Sequence, residues 1–140
     1  DRDEWKIELA RLLRQVGELE IGAHAWEAAT PPLEESVSLL RQLRAALSPH
    51  PKCVEELGLS LSKLGQLQYL KRALAAARIS LQEAVGLLRE CVRRTPTEGT
   101  QLELSIALVS LGTIGRLTAE RLAARKLFGE AASLLAGLLK

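Results

Sequence analysis

Three glycines constrain this chain most strongly, because each sits in the same local pattern at a near-constant interval. Gly17, Gly65 and Gly112 are separated by 48 and 47 residues. Eight residues before each stands Leu (Leu9, Leu57, Leu104), and one before stands an aliphatic residue (Val16, Leu64, Leu111). Twelve after each is Ala (Ala29, Ala77, Ala124). Sixteen after is a large apolar residue (Leu33, Leu81, Phe128), and nineteen after is a small one (Ser36, Ala84, Ala131). Longer segments agree in the same register: LEESVSLLRQL at 33–43, LQEAVGLLREC at 81–91 and FGEAASLLAGL at 128–138. One Leu match means little in a chain with 30 Leu and 19 Ala among 140 residues. The joint register, met three times, predicts a repeat with units near 5–49, 52–95 and 99–140 in a single domain.

The repeating unit must be helical. Leu and Ala are strong helix formers, and the chain has only four aromatic side chains and five prolines. A β-domain would draw on Val, Ile, Thr and aromatics, and a disordered chain would lack this apolar content. Apolar residues recur at helical spacing in Leu9, Leu12, Leu13 and Val16, in Leu57, Leu61 and Leu64, and in Leu104, Ile106, Leu108 and Leu111. Thr30-Pro31-Pro32 reads as an N-cap with Pro in the first turn, and Glu34 and Glu35 then favour a helix start. Ser48-Pro49-His50-Pro51 and Thr95-Pro96-Thr97-Glu98-Gly99 each end a helix, since Pro has no amide proton. The Pro-free stretch from Val54 to Arg94 needs a turn of its own, expected near Lys71–Ala73. The fold class is therefore all-α, an array of about three helical hairpins, with an irregular up-and-down helical bundle as the alternative.

The register resembles the tetratricopeptide repeat. That family sets a large residue, Leu three later, Gly, then Ala, an aromatic or Leu, and a second Ala along two antiparallel helices. The matching sets are Leu13, Val16, Gly17, Ala29, Leu33 and Ser36; Leu61, Leu64, Gly65, Ala77, Leu81 and Ala84; and Leu108, Leu111, Gly112, Ala124, Phe128 and Ala131. Small residues here let two helices approach closely, and large neighbours fill the groove. The chain departs from the family in its period, which is usually about 34 residues. The family's tyrosine three after Gly is Glu20, Gln68 and Gly115 here. Its closing Pro falls on Arg41, Arg89 and Ala136, so the second helix is expected to run on for two or more turns. Pro31-Pro32 implies a longer connection in the first hairpin. A long-repeat variant fits, similar to arrays in large bacterial signalling proteins.

The resemblance implies that the first helix of each unit lines a concave, peptide-binding face. Mapped residue by residue, that face holds Arg11, Arg14, Glu18 and Ile21, then Leu59, Ser62, Lys63, Gln66 and Tyr69, then Ile106, Val109, Thr113 and Arg116. The family's clamp for a C-terminal carboxylate needs Asn, which this sequence lacks. An amphipathic helix or an apolar segment with acidic flanks would suit what remains. The opposing expectation is that these apolar residues are covered by a neighbouring domain or extra helix.

Other functional classes find less support. A net charge of +2 demands neither nucleic acid nor an anionic membrane. No apolar run approaches the roughly 20 residues that span a bilayer. No secretory signal opens the chain, and two cysteines, Cys53 and Cys91, fit free thiols in a reducing, cytoplasmic setting. The absence of Met, with the ending LLAGLLK, gives the expectation of a segment from a longer polypeptide. His50-Pro51-Lys52-Cys53 lacks the second ligand pair of a zinc site. His24 beside Trp26 reads as a packed or surface residue, and Glu34-Glu35 and Glu55-Glu56 read as helix-start carboxylates. Both tryptophans are expected to pack into the core, with Trp5 at the N-terminal end. Arg116, Arg121, Arg125 and Lys126, with Lys71, Arg72 and Arg78 one unit earlier, form the basic stretches, but no aromatic platform accompanies them.

Together these features predict a non-catalytic scaffold without cofactor or metal. It would bind a protein or peptide partner, or sister domains of its parent chain, through Arg14, Ile21, Leu59, Ser62, Gln66, Tyr69, Ile106, Val109, Thr113 and Arg116. One alternative is an oligomerisation or sensor arm of a larger signalling protein, forming a homo-oligomer through its apolar faces. A weak nucleic-acid-binding helical domain is the other.

Overall fold

The computed structural model describes residues 1–46 and 50–140, so Ser48 and Pro49 of the expected second break lie outside the described residues. Among the described residues six helices follow one another: α1 (Arg2–Gly22), α2 (Trp26–Ala46), α3 (Pro51–Leu70), α4 (Leu74–Arg94), α5 (Glu98–Leu117) and α6 (Arg121–Leu138). The fold is all-α and built of helical hairpins. Each helix packs on the next in sequence; in addition α1 touches α3 and α3 touches α5. Among the described residues the backbone of α2 does not come close to that of α4, and the backbone of α6 comes close only to that of α5. The hairpins therefore form an open row with the first helices side by side, and no late helix returns to close a ring.

The repeat register has a direct steric cause. A Cβ placed on Gly17 would lie 2.5 Å from Leu33 Cγ, on Gly65 2.6 Å from Leu81 Cγ, and on Gly112 3.0 Å from Phe128 Cε1. The large residue sixteen positions on thus lies directly over the glycine of its own unit. Ala29, Ala77 and Ala124, and likewise Ser36, Ala84 and Ala131, are all buried. The small residues sit where the helix backbones come closest.

The three hairpin turns are also one structure. Residues 23–25, 71–73 and 118–120 link the helices, and the middle residue of each takes a left-handed backbone: His24 at φ 59°, Arg72 at 67° and Ala119 at 61°. Each turn closes with the amide of its last residue donating to a carbonyl five back: Ala25 to Glu20, Ala73 to Gln68 and Glu120 to Gly115. That 6→1 bond defines a Schellman-type ending, normally marked in sequence by Gly. Here the marker is absent, yet the second turn falls on Lys71–Ala73 as expected.

Two expectations about the second helices are corrected. Pro31 and Pro32 do not begin a helix; they lie inside α2, which starts at Trp26, so the first connection is as short as the other two. The helix survives because Ala29 and Leu33 are fully buried and anchor it against α1. The carbonyls deprived of amide partners belong to Glu27 and Ala28, both exposed to water. Glu34 and Glu35 accordingly stand mid-helix. In addition, α2 and α4 run only about a turn and a half past Arg41 and Arg89, rather than two or more. The break at 95–99 is as expected: α4 ends at Arg94, and Thr97 caps α5 in a reciprocal box with Thr100.

Candidate functional site on the first-helix face

The side-by-side first helices bring the three rows of expected groove residues onto neighbouring elements, but the rows differ in character. On α1 the row is ionic and self-neutralised. Arg14 donates to Glu56 from both Nε and Nη2 at 3.2 Å, and from Nη1 to Glu18 at 2.8 Å. Arg11 stands 3.6 Å from Glu56 and 3.1 Å from Glu8. Although burial works against its charge, Glu56 and Glu18 hold the Arg14 guanidinium firmly protonated. Burial also pushes the Glu56 carboxyl above its ordinary range, against the pull of Arg14 and Arg11. Glu56 therefore does more than favour a helix start: it ties α3 to α1. Ile21, at the end of the row, packs partly buried against the core shared by the first two hairpins.

On α3 the row is largely absorbed by packing. Ser62 is fully buried, and it accepts a 3.3 Å hydrogen bond from Gln66 Nε2. Leu59 packs against the cluster of Leu88, Leu104 and Leu108, and Tyr69 against Ala77, Leu81 and Ile114. Lys63 reaches across to Glu103 on α5 at 3.7 Å. Glu56 and Glu103 occupy the same register position, so each interval between first helices is bridged by one acid receiving cations from the preceding helix.

Of the three expected groove rows, that of α5 stays open among the described residues. Val109 is 41% exposed, Ile106 and Thr113 are half-buried, and Arg116 is exposed with no ion-pair partner among the described residues. The Thr113 hydroxyl is occupied by the carbonyl of Val109 at 2.8 Å. Leu102, absent from the expected set, extends the row and is 46% exposed. Its spacing of four before Ile106 was readable, but the same position holds Ile7 and Glu55 in the other units.

The remaining chemical candidates have structural roles. His50 caps α3, its Nδ1 accepting from the Lys52 amide at 3.2 Å, while the Cys53 thiol donates to the Leu40 carbonyl at 3.5 Å. Burial pushes the Cys53 thiol up; burial and then Glu55 do the same for Cys91, which lines a cleft of about 220 Å3 between α3, α4 and the start of α5. Raised thiol values oppose nucleophilic chemistry. Among the described residues no group of three or more His, Cys, Asp and Glu side chains could hold a metal. His24 packs edge-on to Trp26, with ring centroids 5.2 Å apart. Lys71 is engaged by Glu27 and Thr30, and Arg78 by Glu120 and Thr118, so two of the three cations of that basic stretch are compensated. No helix among the described residues is long and apolar enough to cross a membrane.

Trp5 overturns the expectation of core packing, being 71% exposed, whereas Trp26 packs partly buried against the core as expected. Trp5 heads a row on α1 continued by Leu9, Leu12, Val16 and Leu19, all between 46% and 75% exposed.

The chain matches no protein-family model, no curated protein and no solved structure.

Proposed function

We propose that this chain is a non-catalytic protein-interaction module, a tetratricopeptide-like hairpin array with extended units. It holds an amphipathic helix or apolar segment with acidic flanks on its first-helix face. The observation that carries this reading is the uncovered row on α5, where Leu102, Ile106 and Val109 lead to an uncompensated Arg116. The same register turns toward the neighbouring first helix in the earlier units, as Arg14 does toward Glu56. An apolar row ending in a lone cation suits a ligand with aliphatic anchors and an acid at one end. The binding surface is thus narrower than the sequence implies, centred on Ile106, Val109, Thr113 and Arg116 rather than spread over Arg14, Ser62 and Tyr69. The free thiols Cys53 and Cys91 fit a reducing, cytoplasmic setting.

The test is a displayed peptide library selected on the intact chain and then on a Leu102→Glu, Val109→Glu double variant. Both side chains are exposed, so the circular-dichroism melt of the variant should match that of the parent. The reading requires selected peptides whose binding falls at least about tenfold in the variant. It fails if no peptide binds saturably, or if binding ignores the double substitution.

A further inference from the structure

The apolar row on α1 has two internal counterparts, and both are covered. Trp5, Leu9, Leu12, Val16 and Leu19 correspond through the repeat register to Cys53, Leu57, Ser60, Leu64 and Leu67 on α3. They correspond equally to Thr100, Leu104, Ala107, Leu111 and Ile114 on α5. The α3 set is buried throughout, and every α5 member is buried except Leu111, which is half-buried. What covers them is in each case the second helix of the preceding hairpin. Cys53 donates to the Leu40 carbonyl of α2, Ser60 meets Ser36 of α2 at 2.8 Å, and Leu104 and Ala107 pack with Val85 and Leu88 of α4. The covering helices share a signature: small-Val-x-x-Leu-Arg, as Ser36-Val37…Leu40-Arg41 and Ala84-Val85…Leu88-Arg89.

The arginine of that signature reaches past the adjoining first helix to a glutamate on the next second helix. Arg41 pairs with Glu83 at 2.8 Å, and Arg89 with Glu130 at 2.6 Å. Glu35 holds the same register position on α2 and has no ion-pair partner among the described residues. An apolar row and an acid thus stand beside each other in the positions that elsewhere receive one helix with one arginine.

We propose that the α1 face is the docking surface for a further hairpin unit of this class, which presents a second helix with the small-Val-x-x-Leu-Arg signature and pairs its arginine with Glu35. A second copy of this chain is disfavoured as the occupant, because the signature has decayed on α6 to Ala131-Ala132…Leu135-Ala136. At the signature positions that helix has Ala136 in place of the arginine and Ala132 where α2 and α4 carry Val. Trp5 and Leu12 replace Cys53 or Thr100 and Ser60 or Ala107, so the docked helix stands farther off and needs its small residue opposite Leu12. This inference is independent of the α5 row, which lies on a different helix.

The probe is a synthetic capped peptide copying residues 80–94 with Cys91→Ala, titrated into the intact chain carrying Trp26→Phe, so that emission reports Trp5 alone. Saturable binding with a blue shift is expected, and Leu12→Glu or Leu19→Glu, both at exposed positions, should abolish it. An Arg-to-Glu change at the Arg89 position of the peptide should weaken binding about threefold, and Glu35→Arg in the chain should restore it. The Leu102→Glu, Val109→Glu variant should bind this peptide as the parent does, which separates failure here from failure of the α5 reading. Absence of saturable binding up to about 1 mM, a threshold set by the weakest useful affinity, overturns the proposal. Indifference to both Leu12→Glu and Leu19→Glu does the same. So does concentration-dependent self-association in sedimentation that Leu12→Glu removes, since a second copy would then be the occupant.

Discussion

The outer faces of α1 and α3 carry nearly the same register and meet opposite fates. Leu57 on α3 is fully buried, while Leu9, its counterpart on α1, is 47% exposed; Cys53 is 1% exposed and Trp5 71%. Helix type, length and hairpin geometry are common to both. The difference is that α2 lies over this face of α3, whereas no described helix lies over the same face of α1. Burial in an array of this kind belongs to the interface between units, and a residue's own helix does not decide it.

The largest effect that tests this contrast is truncation of the paired leucines. Leu57→Ala should cost about 2–5 kcal/mol, because it leaves a cavity between α2 and α3. Leu9→Ala should cost about 1 kcal/mol or less, since water already reaches half of that side chain. Urea melts of both variants decide it, and equal losses would mean that the α1 row is covered in solution. The glycines give the next effect. Gly65→Ala drives a methyl against Leu81 and should cost about 1–3 kcal/mol, whereas Gly86→Ala, in open space on α4, should gain about 0.5–1 kcal/mol. A stabilised Gly65→Ala would show that the hairpin interior is looser than the repeat register requires.

Two smaller effects concern features that lie beneath the contrast. Ala119 holds a left-handed conformation in a turn shared by covered and open units alike, so Ala119→Gly should raise stability by about 0.5 kcal/mol in thermal melts. Glu56, on the covered side of α3, gives a pH signature. Its carboxyl is raised in the folded chain, so the folded state holds that proton more tightly than the unfolded state does. The resulting stability is full below the ordinary carboxylate range and is lost as pH rises through the raised value. Glu56→Gln should flatten that part of the pH–stability curve, measured by urea melts at successive pH values. An unchanged slope would place the titration elsewhere.

Much of the fold was readable because its causes are local or repeated. The Gly–Leu or Gly–Phe contact recurs three times at one spacing, and Thr97 and His50 sit beside prolines that force helix ends. Pro31-Pro32 misled because two buried residues, Ala29 and Leu33, outweigh a local preference that sequence alone displays. The candidate site was legible only as a set of positions. Nothing in the pattern of Ser62 or Tyr69 distinguishes a residue facing a groove from one facing the neighbouring unit, and Leu102 was missed because its register position holds Ile7 and Glu55 elsewhere.

The sequence by itself determined the helical class, the three-unit register and the close approach of helices at glycine and alanine. Those follow from backbone propensity and from side-chain volume at fixed spacing. The tertiary structure alone decided which apolar rows are covered, which arginines find their glutamates, and that α1 and α5 are left with open faces. Helical periodicity marks a side that can be buried, but burial also requires a partner, and the partner is never written in the same helix.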